Sequence, residues 1–208
     1  MRTLWVLWLC SGCFLVRREA VVRCPTDHHI TIGVQADVLA FTGCKRASDV
    51  VVRTGAHIDL SPLRELQEIT GDLRIGPTVG VDAIRLEQLR RVGGTIYVAS
   101  NGALYGVFLP RLEQAGRIDI EGNISLTTIS MPRLQTVSGA LVIDDNDGLE
   151  LVGLASLVET KQLVITNHRN LELLEVGKLQ RAESIRIEND PNLPVELVEA
   201  LGTRSSHR

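Results

Sequence analysis

Short couplets of the form apolar-x-apolar recur through almost the whole chain: Ile30/Ile32, Val50/Val52, Leu73/Ile75, Ile96/Val98, Ile118/Ile120, Leu141/Ile143, Leu163/Ile165 and Ile185/Ile187. Between their second members the steps are 20, 23, 23, 22, 23, 22 and 22 residues. A period of this size means one structural unit stacked on copies of itself, because each copy carries an apolar face that it cannot bury alone. Two apolar residues separated by one point to the same side of a strand, so each couplet reads as a short strand with both side chains inward. The chain is therefore expected to be all-β, a parallel β-helix or solenoid of about eight coils.

The rest of the unit appears when the copies are laid over one another. From Asn101, Asn123 and Asn146 the next apolar residues fall at offsets 3, 6, 8 and 11, as in Leu104, Val107, Leu109 and Leu112. Asn167 repeats the series one residue late, and Asn189 opens a truncated copy. A helix would need i, i+3, i+4, i+7 throughout, so these offsets predict further short strands joined by bends. Gly71, Gly94, Gly116 and Gly139 each lie four residues before the end of a couplet. They mark a corner that needs small size or positive φ. The recurring Asn101, Asn123, Asn146, Asn167 and Asn189 read as a structural ladder, each amide satisfying backbone at a bend and stacking on the Asn of the next coil. Short capping helices are expected near Ala36–Phe41 and Glu196–Leu201.

The segment Ile69-Thr-Gly-Asp-Leu-Arg-Ile75, followed by Leu-Glu-Gln-Leu-Arg-Arg-Val-Gly-Gly-Thr-Ile-Tyr-Val98-Ala-Ser-Asn101, resembles the receptor L domain. That domain is the leucine-rich-repeat-like, right-handed β-helix module of insulin-receptor and epidermal-growth-factor-receptor ectodomains, and bacterial surface lipoproteins and fungal wall proteins carry similar ones. The resemblance covers about residues 24 to 201 and implies a binding or structural module. Cys24, Gln35-Ala-Asp-Val-Leu-Ala40 and Gly43-Cys44 look like the family's first coil with its paired cysteines. The resemblance thus implies a Cys24–Cys44 disulfide, which would contribute on the order of 3 kcal/mol by closing that loop. Where many relatives have a capping cysteine after Asn189-Asp-Pro-Asn-Leu-Pro194, Val195 stands here, so the C-terminal cap is expected to hold by packing alone.

Residues 1–12 read as a secretory signal, with a basic lead and an apolar run from Leu4 to Val16 that is too short to span a bilayer. Cys10-Ser-Gly-Cys13 resembles a bacterial lipobox, which predicts acylation of Cys13, a membrane anchor through the N-terminal lipid, and a linker over 13–23. Ordinary signal-peptidase cleavage and secretion is the alternative. Cys10 would leave with the signal, so no thiol is left over if Cys24 and Cys44 pair. The polar tail 202–208 has no hydrophobic stretch and speaks against a GPI anchor.

The net charge is −3 and the chain has only seven aromatic residues, with basic residues scattered among acidic ones. Neither a basic patch nor an aromatic platform is present, so nucleic acid is an improbable partner. Asp27-His28-His29 groups three possible metal ligands, but neighbours on an extended segment point to alternate sides and nothing completes a tetrahedral set. Asp144, Asp145 and Asp147 read as a solvated acidic turn rather than a calcium site or paired catalytic carboxylates. His57 and His168 have no nucleophile partner in the sequence, and no cofactor motif is present. The chain is read as a non-enzyme, with a polysaccharide-active β-helix enzyme as the alternative.

Alternation predicts the outward face of the couplet sheet. Its middle row is Thr31, Val51, Arg74, Tyr97, Asp119, Val142, Val164 and Arg186, flanked by Arg53, Glu121, Asp144 and Glu188. In the resembled receptors this face takes part in ligand contact, so Arg74, Tyr97, Asp119, Val142, Val164 and Arg186 are the candidate contact residues for an extracellular protein or glycan. The loop around Tyr105 and Phe108 is the second choice.

Overall fold

The computed structural model describes residues 29–204. The expected signal segment 1–12 and linker 13–23, with Cys13, Cys24, Asp27 and His28, lie outside the described residues.

All eight couplets become rungs of one parallel sheet. Its eight main strands follow in chain order from His29–Ile32 and Asp49–Thr54 to Glu159–Thr166 and Arg181–Glu188, joined by seven turns, and the short strands Arg46–Ala47 and Glu68–Ile69 extend it at the side. Ile32, Val52, Ile75, Val98, Ile120, Ile143, Ile165 and Ile187 pair in one continuous register. The residues at offset 6 centre a second parallel sheet of five short strands: Ala83–Arg85, Gly106–Phe108, Thr128–Ser130, Leu151–Gly153 and Leu173–Glu175. Between the sheets the chain bends inward at Leu104, Leu109 and Leu112 and at their equivalents in later coils, all fully buried. Each such side chain contributes roughly 1.5–3 kcal/mol by leaving water.

The couplet strands are longer than the couplets. Arg91–Ala99 and Thr136–Asp144 run straight through the glycine corner, where the register shifts between Val92 and Thr95 and between Val137 and Ala140. Of the two reasons for glycine there, close approach is the operative one. A Cβ on Gly94 would lie 2.1 Å from Asp72 Oδ1, and one on Gly116 2.5 Å from the Gly93 carbonyl oxygen. The carboxylate under Gly94 is itself employed: Asp72 Oδ1 accepts from Thr95 N at 2.7 Å, as Asp49 Oδ1 accepts from Asp72 N at 2.7 Å. Side chains of one coil thus cap the bend of the next.

The ladder is real but shorter than expected. Asn101 Nδ2 donates to Asn123 Oδ1 at 2.9 Å, and Asn123 Nδ2 donates to Asn146 Oδ1 at 3.0 Å. The same amides bond the backbone carbonyls of Ile75, Val98 and Ile120 in the preceding coil. Asn167 and Asn189 are a correction to the sequence reading: both are exposed and sit one residue before the ladder, with φ of 64° and 60°. They match Ser100 (56°), Gly122 (62°) and Asp145 (52°), the left-handed residues that begin the turn. Asn is well suited to that conformation, which explains its presence there. The buried ladder position passes instead to His168 and Asp190, whose side chains are 0 % and 1 % exposed. His168 Nδ1 lies 2.8 Å from Asp190 Oδ1, which also accepts from His168 N at 2.9 Å. Counted from His168, the leucine offsets of that coil return to 3, 6, 8 and 11, so the one-residue delay was a misplaced origin. Asn189 and Asn167 build a second, outer chain, Asn189 Nδ2 to Asn167 Oδ1 and Asn167 Nδ2 to Asp144 Oδ1, each 2.8 Å.

Both ends are closed by helices. The first, α1 (Gln35–Leu39), is capped by Asp37, whose Oδ2 accepts from Gly33 N at 2.9 Å and Val34 N at 3.0 Å. Those backbone hydrogen bonds hold the Asp37 carboxyl below its usual pKa. Gln35 joins α1 to the next coil by bonding both the N–H and the C=O of Asp59. At the other end, α2 (Val195–Arg204) turns Leu201 into the core and packs Leu197 and Val198 against it. Val195 is 65 % exposed and takes no part in that packing. The cap is partial: Ile185 and Ile187, expected inward, stay half-buried because no strand follows theirs. A 3-10 helix at Ser61–Glu65 was not foreseen from the sequence.

Candidate functional site

The outward row of the main sheet is one register line. Arg74 pairs with Tyr97, Tyr97 with Asp119, Asp119 with Val142, Val142 with Val164 and Val164 with Arg186. The parallel ladder therefore brings six residues spread over more than a hundred positions into a single stripe. Its two ends, Arg74 and Arg186, are exposed, and the four between them are half-buried. Val51 departs from the expected outward exposure: it is only 7 % exposed, and a shallow hollow there is lined by Thr31, Asp49, Arg53, Asp72 and Arg74.

The charges of the stripe are matched along their own strands. Arg74 Nη2 lies 2.7 Å from Asp72 Oδ2, and Arg117 Nε lies 2.6 Å from Asp119 Oδ2. Arg186 and Glu188 stand 3.8 Å apart. Tyr97 donates its hydroxyl to Glu121 Oε1 at 2.8 Å; that bond, then burial and nearby acidic groups, raise the phenol above its usual pKa. Burial works to raise the Asp144 carboxyl, but hydrogen bonds from Thr166 at 2.6 Å and Asn167 at 2.8 Å outweigh it and leave the group below the ordinary carboxylate value. The face is thus close to neutral, with Val142 and Val164 side by side between Asp119 and Arg186.

The second choice needs redrawing. Phe108 is not in a loop but ends the strand Gly106–Phe108 and is half-buried, while Tyr105 before it is 44 % exposed. Sequence reasoning missed their partner. Arg85 lies directly opposite Phe108 on the neighbouring strand, with its guanidinium carbon 4.1 Å from the Phe108 ring centre and its Nη2 donating to the Tyr105 hydroxyl at 3.0 Å. The signal was there to find: Arg85 and Phe108 are one repeat step, 23 residues, apart.

The remaining candidates separate. His168, read as having no nucleophile partner, is buried against the Asp190 carboxylate. His57 is exposed, 3.9 Å from Asp82. Asp147 pairs with Arg169 at 3.3 Å, and among the described residues no group of three or more His, Cys, Asp or Glu could hold a metal ion. Cys44 is buried and does not stand as a thiol. Set beside known proteins, the chain matches no family model, no curated protein and no solved structure.

Proposed function

We propose that this chain is a non-enzymatic binding or structural module of the cell envelope, exported by its N-terminal signal, anchored through acylated Cys13 and related to receptor L domains. In this reading Cys24 pairs with Cys44, and the stripe Arg74, Tyr97, Asp119, Val142, Val164 and Arg186 meets an extracellular protein or glycan. One observation carries the choice of face: its arginines are already paired with carboxylates on their own strands. Guanidinium groups paired in this way can be covered by a partner at less cost than lone ones, and adjacent apolar residues with polar ones around them match the make-up of interfaces.

The test is capture of partners from native cell-surface extract and from a glycan array, using the parent chain and Tyr97→Ala, Arg74→Ala and Asp119→Ala variants. The reading expects retention by the parent and loss in the variants, with the fold retained and melting shifted by no more than a few degrees. Equal capture by parent and variants refutes the face. Labelled fatty acid should enter the parent and not Cys13→Ala; absence of label where a control lipoprotein is labelled refutes the anchor.

A further inference from the structure

Arg85 is held by two aromatic side chains rather than by an acid. Among the described residues no carboxylate lies within ion-pair distance of it, whereas Arg46, Arg74, Arg90, Arg117 and Arg181 each have one. Its flat face stacks on Phe108 at 4.1 Å, and a single N–H goes to Tyr105 at 3.0 Å. The Phe108 ring is itself seated: a Cβ on Gly106 would lie 2.2 Å from Phe108 Cε2, so only glycine lets the ring lie over that strand. Tyr105 and Phe108 brace each other at 6.4 Å, tilted by 59°. Ordering a long side chain this way removes most of the entropy that a ligand would otherwise have to overcome. Among the described residues its remaining guanidinium donors have no acceptor.

Arg85 also lines a cleft of about 250 Å³ whose polar wall is His57, Asp59, Ser61 and Asp82. Asp59 is already engaged, accepting from Ser61 Oγ at 2.6 Å and Ser61 N at 2.8 Å, and those hydrogen bonds keep its carboxyl below the usual pKa. Asp82 and His57 remain exposed at the rim.

A preorganised guanidinium fork selects a planar oxyanion. The two aspartates on the same wall disfavour a multiply charged group such as a phosphate dianion. A monoanion carrying neutral hydroxyls suits both: its carboxylate meets Arg85 while hydroxyls donate to Asp82 and bond His57 and Ser61. The volume falls below the roughly 300–1,000 Å³ of drug-sized sites, which limits the occupant to about one small ring. We propose that this cleft binds a uronic-acid residue of an acidic glycan, with Arg85 on the carboxylate and His57, Ser61 and Asp82 on the hydroxyls. The site lies on the side of the second sheet and does not depend on the main-sheet face.

Calorimetry on the full chain with a uronic-acid trisaccharide, its methyl ester and the neutral parent sugar tests this. The acid should bind, and the ester and neutral sugar should bind about tenfold or more weakly, since a hydrogen bond to a charged group is at stake. Arg85→Gln should lose a similar factor, Arg85→Lys should recover little because the fork is gone, and Gly106→Ala should weaken binding by lifting the ring from under the guanidinium. Added salt should weaken the acid's binding. Equal binding of acid and ester, full affinity in Arg85→Gln, or no measurable binding of the acid by the parent would each overturn the assignment. The acid-against-ester comparison uses only the parent protein, so it stands even if a variant folds poorly.

Discussion

The middle of the solenoid and its C-terminal end are built from the same repeat, yet they are held differently. Asn123 has a ladder amide on each side, Asn101 and Asn146, and Ile120 is enclosed between Val98 and Ile143. At the last coil the ladder ends in the His168–Asp190 pair, where His168 Nε2 and Asp190 Oδ2 are buried with no hydrogen-bond partner. Ile187 there has a strand on one side only. A residue's worth in a stacked fold is therefore set by how many copies flank it rather than by its place in the repeat.

The largest effect should come from Asn123→Ala. It strips partners from the buried Asn101 N–H and the Val98 carbonyl, each costing about 1–3 kcal/mol, for a loss of roughly 2–6 kcal/mol in denaturant unfolding. A loss under about 1 kcal/mol would show that the ladder is ornamental. Next, Ile120→Ala should cost roughly 2–5 kcal/mol through the cavity it leaves, and Ile187→Ala less than half as much because half-exposed side chains have already kept part of their water. Equal losses at Ile120 and Ile187 would erase the contrast between middle and end. At the ladder's end, His168→Asn with Asp190→Asn extends the amide series; the double variant should keep stability within about 1.5 kcal/mol of the parent, whereas His168→Ala, leaving Asp190 with only the residue-168 backbone N–H, should lose about 1–3 kcal/mol.

Smaller effects belong to the outer surface. Arg74→Ala should change stability by no more than about 1 kcal/mol, since its pair with Asp72 is exposed. For Tyr97 the folded pKa lies above the unfolded value, so the stabilisation from its bond to Glu121 is fully present below about pH 10 and fades as pH rises through the folded pKa. Ultraviolet titration should show Tyr97 ionising late, and Glu121→Gln should bring that ionisation down; an unmoved titration would discount the bond.

How much could be read in advance differs by residue. Eight couplets and the leucine offsets carried the strands, their order and their register, because a parallel stack makes the repeat step and the strand pairing the same quantity. Asn167 and Asn189 were misassigned because two Asn roles, left-handed turn residue and buried amide, are adjacent in the turn and composition does not distinguish them. The stripe from Arg74 to Arg186 was legible from alternation alone, but its pairing with Asp72, Arg117 and Glu121 depends on rotamers.

The sequence by itself determined the all-β solenoid, its period, its inward residues and the line of outward ones, for repetition at 20 to 23 residues leaves an apolar face only one way to be buried. Tertiary structure alone decided which residue enters the ladder in each coil, that the corner glycines answer to oxygen atoms of the coil beneath, and that Arg85 lies over Phe108. Those outcomes turn on differences of an ångström in how one coil settles on the next, and a spacing counted in residues contains no such distances.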